Sequence, residues 1–149
     1  MQQFLHQIPA APAVLHEKET PLPTPSETTA LAFVAAINAA DLDALRTLMT
    51  QDHTFTDARG NRFSGAETMI SGWQHFLHAY PDYSIDIQQT FQSASHVALF
   101  GQASGKWRVD DHVLPQSWNV SAAWLAEIAS GKVRAWSVFC DTSWATPPH

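Results

Sequence analysis

The sequence predicts one α+β domain in which three helices cover a mostly antiparallel sheet. Two observations lead to this fold class. The first part of the chain repeats apolar residues at helical spacing, with one strand pattern between the second and third helices. The second part alternates apolar and polar residues with a period of two, which is typical of antiparallel strands.

Composition limits the classes of protein to which the chain can belong. With 149 residues, 45% of them hydrophobic and 15% charged, it is long and apolar enough for one folded domain. A net charge of −6 gives no basic surface for nucleic acid or an anionic membrane. We find no apolar run long enough to cross a membrane, and Met1–Phe4 does not resemble a signal peptide. Cys140 has no second cysteine to pair with, which favours a reducing, cytoplasmic compartment.

Residues 1–23 differ from the rest of the chain. Their four prolines argue against a long helix and predict an extended arm. This arm packs either on its own domain or on a partner subunit, and a flexible tail is the alternative. The folded domain is expected to cover residues 24–149.

Capping signals mark the first two helices. Thr24 is a suitable N-cap, Pro25 suits the first helical position, and Glu27 completes a capping box. Asp41 is expected to cap a short second helix that ends near residues 51–52 and keeps Met49 on its buried side.

A strand and a third helix follow. Residues 53–57 are rich in aromatic and β-branched side chains, which predicts a strand, and residues 59–61 predict a turn. Apolar residues at helical spacing then predict a helix from about Gly65 to Ala79, and Pro81 ends it.

The remaining chain predicts four strands, over residues 85–91, 97–100, 118–128 and 133–140. Residues 110–112 are expected to form a solvated turn. In the third of these strands, the even-numbered positions from Trp118 to Ile128 make an apolar face. That face lies either on the core under the helices or on a second subunit, and we expect a homodimer that forms through the sheet.

Asp57 is the first candidate for chemistry. It shares a strand face with His53 and Phe55, and His53 could pair with it. The alternative for His53 is a buried histidine whose polar groups are satisfied within the core. Burial there would raise the pKa of the carboxyl group and make it a general acid or base near neutral pH. The alternative is that Asp57 caps the turn at Arg59 and Gly60.

Metal and nucleophile sites receive little support. His75 and His78 lie three apart on the third helix, but no acid near them would complete a metal site. No Gly-x-Ser-x-Gly motif occurs, and Cys140 is more simply a small buried residue. We therefore expect no metal and no cofactor.

Several motifs, in order, resemble one superfamily. Residues 33–45 resemble the first two helices of the nuclear transport factor 2-like superfamily, which includes ketosteroid isomerases and SnoaL-like polyketide cyclases. Residues 53–57 resemble its first strand, and residues 65–67 resemble the Gly-x-Glu that opens its third helix. Residues 80–83 are similar to the Phe-Pro-Asp of SnoaL-like members, and residues 131–133 to their last hairpin. The resemblance covers roughly residues 28–143.

The resemblance implies a cone-shaped fold with an apolar cavity, and it suggests roles for individual residues. Asp57 falls where the isomerases hold their proton-shuttling aspartate. Their two enolate-stabilising acids match Phe33 and Ala123, which cannot donate a hydrogen bond, so ketosteroid isomerase activity is not expected. Asp141 resembles the general acid/base of the cyclases, and the Gly-Thr-His of their middle strand appears here as Gly105-Lys106-Trp107.

These observations predict two groups of site residues. The catalytic candidates are Asp57, Asp141 and His53. The side chains expected to contact substrate are Phe33, Phe55, Trp73, Phe76, Trp107, Ala123 and Trp136. The leading hypothesis is an enzyme resembling SnoaL-like cyclases or isomerases, which moves a proton next to a carbonyl in a small apolar or polycyclic ligand. The alternatives are a non-catalytic protein that binds such a ligand, and a dimeric scaffold with a vestigial pocket.

Overall fold

The computed structural model describes residues 22–149, so the predicted arm falls outside the described residues except for Leu22 and Pro23. The described chain contains three α-helices, six strands and a short 3₁₀ turn. The helices are α1 (Pro25–Asn38), α2 (Leu42–Leu48) and α3 (Ala66–Ala79). The strands are β1 (Met49–Thr56), β2 (Arg62–Ser64), β3 (Ser84–Ser93), β4 (His96–Val109), β5 (His112–Ala129) and β6 (Lys132–Cys140). The 3₁₀ turn is Ser143–Ala145.

The predicted N-caps are present at both early helices. The predicted capping box is not formed, because the Glu27 carboxylate accepts a hydrogen bond from the Thr90 hydroxyl at 3.2 Å. The Thr24 hydroxyl accepts a hydrogen bond from the Glu27 amide at 3.2 Å, and the Asp41 carboxylate accepts one from the Ala44 amide at 3.1 Å. The predicted end of α2 is wrong by about three residues. Met49 already belongs to β1, because its backbone pairs with Val133 of β6.

The sheet has the order β2-β1-β6-β5-β4-β3. All neighbouring strands are antiparallel except β1 and β6, which are parallel. Strand β2 was not predicted, because three exposed residues carry no periodic signal. Residues 110 and 111 form the expected turn, and both have positive φ, as tight hairpin turns require.

The apolar face of β5 lies on the core. Trp118, Ala122, Trp124, Ala126 and Ile128 are all buried, which decides between the two locations left open for this face. Register shifts within the β1–β6, β3–β4, β4–β5 and β5–β6 pairs accompany the curvature of the sheet. In the described range, none of the helices has the length and apolar character needed to span a membrane.

The opposite face of the sheet carries exposed aromatic side chains. Phe91, Phe100 and Phe139 are 58%, 44% and 56% exposed. Phe100 pairs across the sheet with Ala123, and Ala123 pairs with Phe139, so these residues form a continuous apolar row. We call Phe91, Phe100, Ala123 and Phe139 the outer patch.

Candidate functional site

A half-open cavity of about 400 Å³ lies between α3, the concave face of the sheet and the C-terminal segment. Most of its wall is apolar, as is typical of small-molecule sites. The helix and the early strands contribute Phe55, Phe63, Met69, Gly72, Trp73 and Phe76. The later strands contribute Ala103, Val120, Ala122, Trp124 and Val138. The polar or partly polar wall residues are Asp57, Arg59, Asn61, Thr68, Tyr83, Cys140, Thr142 and Trp144.

Asp57 lies at the cavity, but its carboxylate is held by the turn that follows it. Oδ1 accepts hydrogen bonds from the Arg59 and Asn61 amides, both at 2.9 Å, and Oδ2 accepts one from Asn61 Nδ2 at 3.1 Å. Desolvation raises the pKa of Asp57, but the hydrogen bonds from Asn61 and Arg59 together outweigh it and leave the pKa lowered. The expected raised pKa is therefore wrong, and the turn-capping alternative describes the local geometry.

His53 is fully buried and lies apart from the cavity wall. Its Nδ1 is 2.7 Å from the Val133 carbonyl oxygen, so it donates to that oxygen in the neutral tautomer. The ring packs near Phe33, with the ring centroids 5.9 Å apart. Desolvation lowers the pKa of His53, although the bond to Val133 and the charge of Asp52 oppose this. His53 and Asp57 do not pair.

Asp141 also lies outside the cavity wall. Its exposed carboxylate accepts hydrogen bonds from the hydroxyl of Ser143 at 2.6 Å and from its amide at 3.4 Å. The Ser143 hydroxyl is the main cause of the lowered pKa of Asp141. Asp141 thus caps the 3₁₀ turn instead of reaching the pocket.

Three of the seven expected substrate contacts lie in the cavity wall and four do not. Phe55, Trp73 and Phe76 line the cavity. Phe33 and Trp136 are completely buried in the core, with ring centroids 4.8 Å apart. Ala123 belongs to the outer patch, whereas its neighbours Ala122 and Trp124 line the cavity.

Trp107 does not line the cavity but positions a residue that does. Its Nε1 donates to the Trp144 carbonyl oxygen at 2.7 Å. The Trp144 indole stacks on Trp118 with ring centroids 4.0 Å apart, and the Tyr80 hydroxyl donates to the Ala145 carbonyl at 3.2 Å. These contacts fix the C-terminal segment as one wall of the cavity.

Tyr83 supplies a polar group that sequence reasoning missed. Tyr83 lines the cavity, and its ring packs edge-on against Phe76 with ring centroids 4.8 Å apart. Burial, assisted by the neighbouring Cys140, raises the pKa of Tyr83, so the hydroxyl stays protonated and able to donate. Burial also raises the pKa of Cys140, although Trp144 opposes this shift, and a protonated thiol is a weak nucleophile.

Two patterns in the sequence indicate residues of this site that the prediction left out. The apolar face of β5 contains Ala122 and Trp124, so periodicity alone indicated them in place of Ala123. Arg59 and Asn61 belong to a predicted turn directly after a candidate strand residue. No group of three metal-binding side chains converges anywhere in residues 22–149.

Comparisons with known proteins identify the fold. A proposed polyketide cyclase from Xanthomonas campestris superposes with a TM-score of 0.74 at 15% identity, covering 83% of this chain and 95% of that one. A proposed SnoaL-like polyketide cyclase from Jannaschia sp. CCS1 gives 0.72 at 19% identity, covering 86% and 96%. An LEH-like epoxide hydrolase from M. tuberculosis gives 0.69 at 14% identity, covering 82% and 86%.

These TM-scores show a shared fold, and one fold can support more than one chemistry. A comparison with curated protein sequences gives no match. Residues 30–136 match the family model of the SnoaL-like domain, which is most of the chain and confirms the resemblance noted from the motifs. The chain therefore belongs to the SnoaL-like domain family of the nuclear transport factor 2-like superfamily.

Proposed function

We propose that this protein binds a small apolar ligand that carries a ring system and a carbonyl oxygen. The apolar cavity of about 400 Å³ is the observation on which this proposal depends. Aromatic walls at Phe55, Trp73 and Phe76 suit flat rings. The Tyr83 hydroxyl is a neutral donor suited to one acceptor oxygen on the ligand.

Tryptophan fluorescence tests this proposal directly, because Trp73, Trp124 and Trp144 all lie in the wall. We expect saturable quenching by 2-acetonaphthone, a two-ring ketone, and by 2-ethylnaphthalene, which lacks the oxygen. Gly72→Leu should weaken the binding of both compounds, because a leucine side chain would occupy part of the cavity. There is room for it, since the nearest atom to a Cβ at this position is Met69 Cε, at 3.8 Å. Absence of saturable quenching by either compound would refute the proposal.

Tyr83→Phe isolates the hydroxyl from the ring. Loss of one neutral hydrogen bond should lower the affinity for 2-acetonaphthone by about fivefold and leave the affinity for 2-ethylnaphthalene unchanged. An equal effect on both compounds would mean that Tyr83 contributes only packing.

Proton transfer is a second candidate function. Among the wall residues in the described range, Asp57 is the only carboxylate, and Tyr83 could donate to the carbonyl oxygen while Asp57 accepts a proton from the neighbouring carbon. The lowered pKa makes Asp57 a weak base, so a slow reaction is expected.

Deuterium exchange at the methyl group of 2-acetonaphthone, followed by NMR in D₂O, measures this step. Asp57→Asn should abolish exchange above the buffer rate, while Asp141→Asn, which changes a carboxylate outside the wall, should not alter it. Exchange that persists in Asp57→Asn would exclude Asp57 as the base.

A further inference from the structure

We propose that Arg59 recognises an anionic group on the ligand, so that the preferred ligand is an apolar ring compound with a carboxylate. This inference rests on the proposed function, since it assigns chemistry to the same cavity. Arg59 is the only arginine or lysine among the wall residues in the described range. It belongs to the turn after β1, which also contributes Asp57 and Asn61 to the wall.

The charge of Arg59 acts on two other groups near the cavity. Its charge lowers the pKa of Asp57 on its own turn, and it also opposes the raised pKa of Tyr80 at the end of α3. The Tyr80 hydroxyl is bonded to Ala145, which is itself a wall residue. Arg59 and Ala145 both line the cavity, so the turn and the C-terminal segment border the same space.

The guanidinium is available to a ligand. Arg46 pairs with Asp43 and Glu67, and Arg134 pairs with Glu127, whereas Arg59 takes part in no ion pair within residues 22–149. Its five N–H donors match the geometry of a carboxylate. A ligand ring against the apolar wall would exclude water on one side and strengthen the contact.

Asp57 is the opposing charge, and its position can be assessed. Three N–H groups from Arg59 and Asn61 already bond its carboxylate, so its charge is partly compensated by the turn. Residual repulsion should still weaken an anionic ligand. The two residues of the same turn thus act in opposite directions on one ligand, which a structural role alone would not produce.

The test compares two ligands of matched size, 2-naphthoate and 2-acetonaphthone, by fluorescence titration at about pH 7.5. Arg59→Gln should lower the affinity for 2-naphthoate by about fivefold and leave the affinity for 2-acetonaphthone unchanged. Asp57→Asn should tighten 2-naphthoate by about twofold. Added salt should weaken 2-naphthoate in the wild type and have little effect on the ketone.

Arg62→Gln is the matched control, because it removes the same charge from an exposed residue on β2 outside the cavity wall. It should leave both affinities within twofold. If Arg59→Gln and Arg62→Gln lower the affinity for 2-naphthoate equally, the effect comes from the net charge of the protein and the inference is overturned. If the wild type binds the ketone but not 2-naphthoate, Arg59 recognition fails while the proposed function stands. Failure to bind either compound overturns both.

Discussion

His53 and Asp57 lie four residues apart, and their pKa values are lowered for different reasons. For His53 the cause is desolvation, which disfavours the charged imidazolium in a core formed with Phe33. For Asp57 the cause is hydrogen bonding, since donors in its turn stabilise the charged carboxylate against desolvation. The lowered pKa of His53 makes the stability of the protein depend on pH, and the lowered pKa of Asp57 makes its carboxylate a weaker base.

The buried imidazole predicts how the stability of the protein depends on pH. The pKa of His53 is below its ordinary value of 6.5 in the folded state, so the unfolded chain binds more protons when the pH falls below about 6.5. Its contribution to stability is complete above that pH. It declines as the pH falls toward the folded pKa, by up to about 1.4 kcal/mol per pH unit. The nearby charge of Asp52 reduces the effect but does not reverse its direction.

Urea unfolding at about pH 7.5 and pH 5.5 measures this dependence. His53→Gln removes the titrating group, so the variant should lose less free energy of unfolding between the two pH values than the wild type does. His75→Gln, at an exposed helical histidine, should behave as the wild type. If all three proteins lose the same free energy, the stability does not depend on His53.

At the scale of elements, the C-terminal segment depends on a glycine in β4. Gly105 pairs with Trp118, and a Cβ at this position would lie 2.9 Å from the Trp118 ring. The absence of that atom lets the Trp118 indole lie against the strand, where Trp144 stacks on it. A backbone position outside the cavity thereby determines where one of the cavity walls lies.

Gly105→Ala should therefore destabilise the protein by about 1–3 kcal/mol, because the added methyl group forces Trp118 out of its place. It should also lower the affinity for 2-acetonaphthone, since Trp144 would shift with Trp118.

The matched control for stability is Gly72→Ala in α3, where the nearest atom to the added Cβ is 3.8 Å away. That change should raise the free energy of unfolding by up to about 1 kcal/mol. Thermal unfolding distinguishes the two, and a stabilising Gly105→Ala would contradict the packing argument.

The sequence predicts the helices and most of the strands, but only part of the site. Caps at Thr24 and Asp41 and the alternation along β5 are local signals, and they correctly predicted the helix starts and which face of β5 is apolar. The alternation left open whether that face lies on the core or on a second subunit. The Trp107–Trp144 hydrogen bond joins residues 37 positions apart, and no local pattern encodes it. The sequence allowed Asp57 to be either a buried acid or base or the cap of the following turn. Only the three-dimensional positions of the Asn61 donors decide between these two roles. Ala123 was selected by family position against its own strand periodicity, and periodicity was correct.

At the scale of the whole molecule, the sheet has two apolar faces with different surroundings. The inner face is covered by the helices and borders the cavity. The outer patch is exposed in the single chain, and Phe91 contacts Phe100 edge-on with ring centroids 5.8 Å apart. A contiguous exposed cluster of aromatic side chains is typical of protein interfaces. The apolar face of β5, from which we predicted a homodimer, is buried in the core of the single chain. We therefore propose that a homodimer forms through the outer patch instead.

We expect the wild type to have the mass of two chains in sedimentation or light-scattering experiments at micromolar concentration. Phe100→Glu and Phe139→Glu should each weaken dimerisation by more than about 100-fold, because a dimer would then bury an unpaired carboxylate. Both side chains are about half exposed in the single chain, so the monomer should remain folded. Val113→Glu places the same charge on an exposed apolar residue at the far end of β5 and should leave the dimer intact. A monomeric wild type, or a Phe100→Glu variant that still dimerises, would show that the outer patch is not the interface.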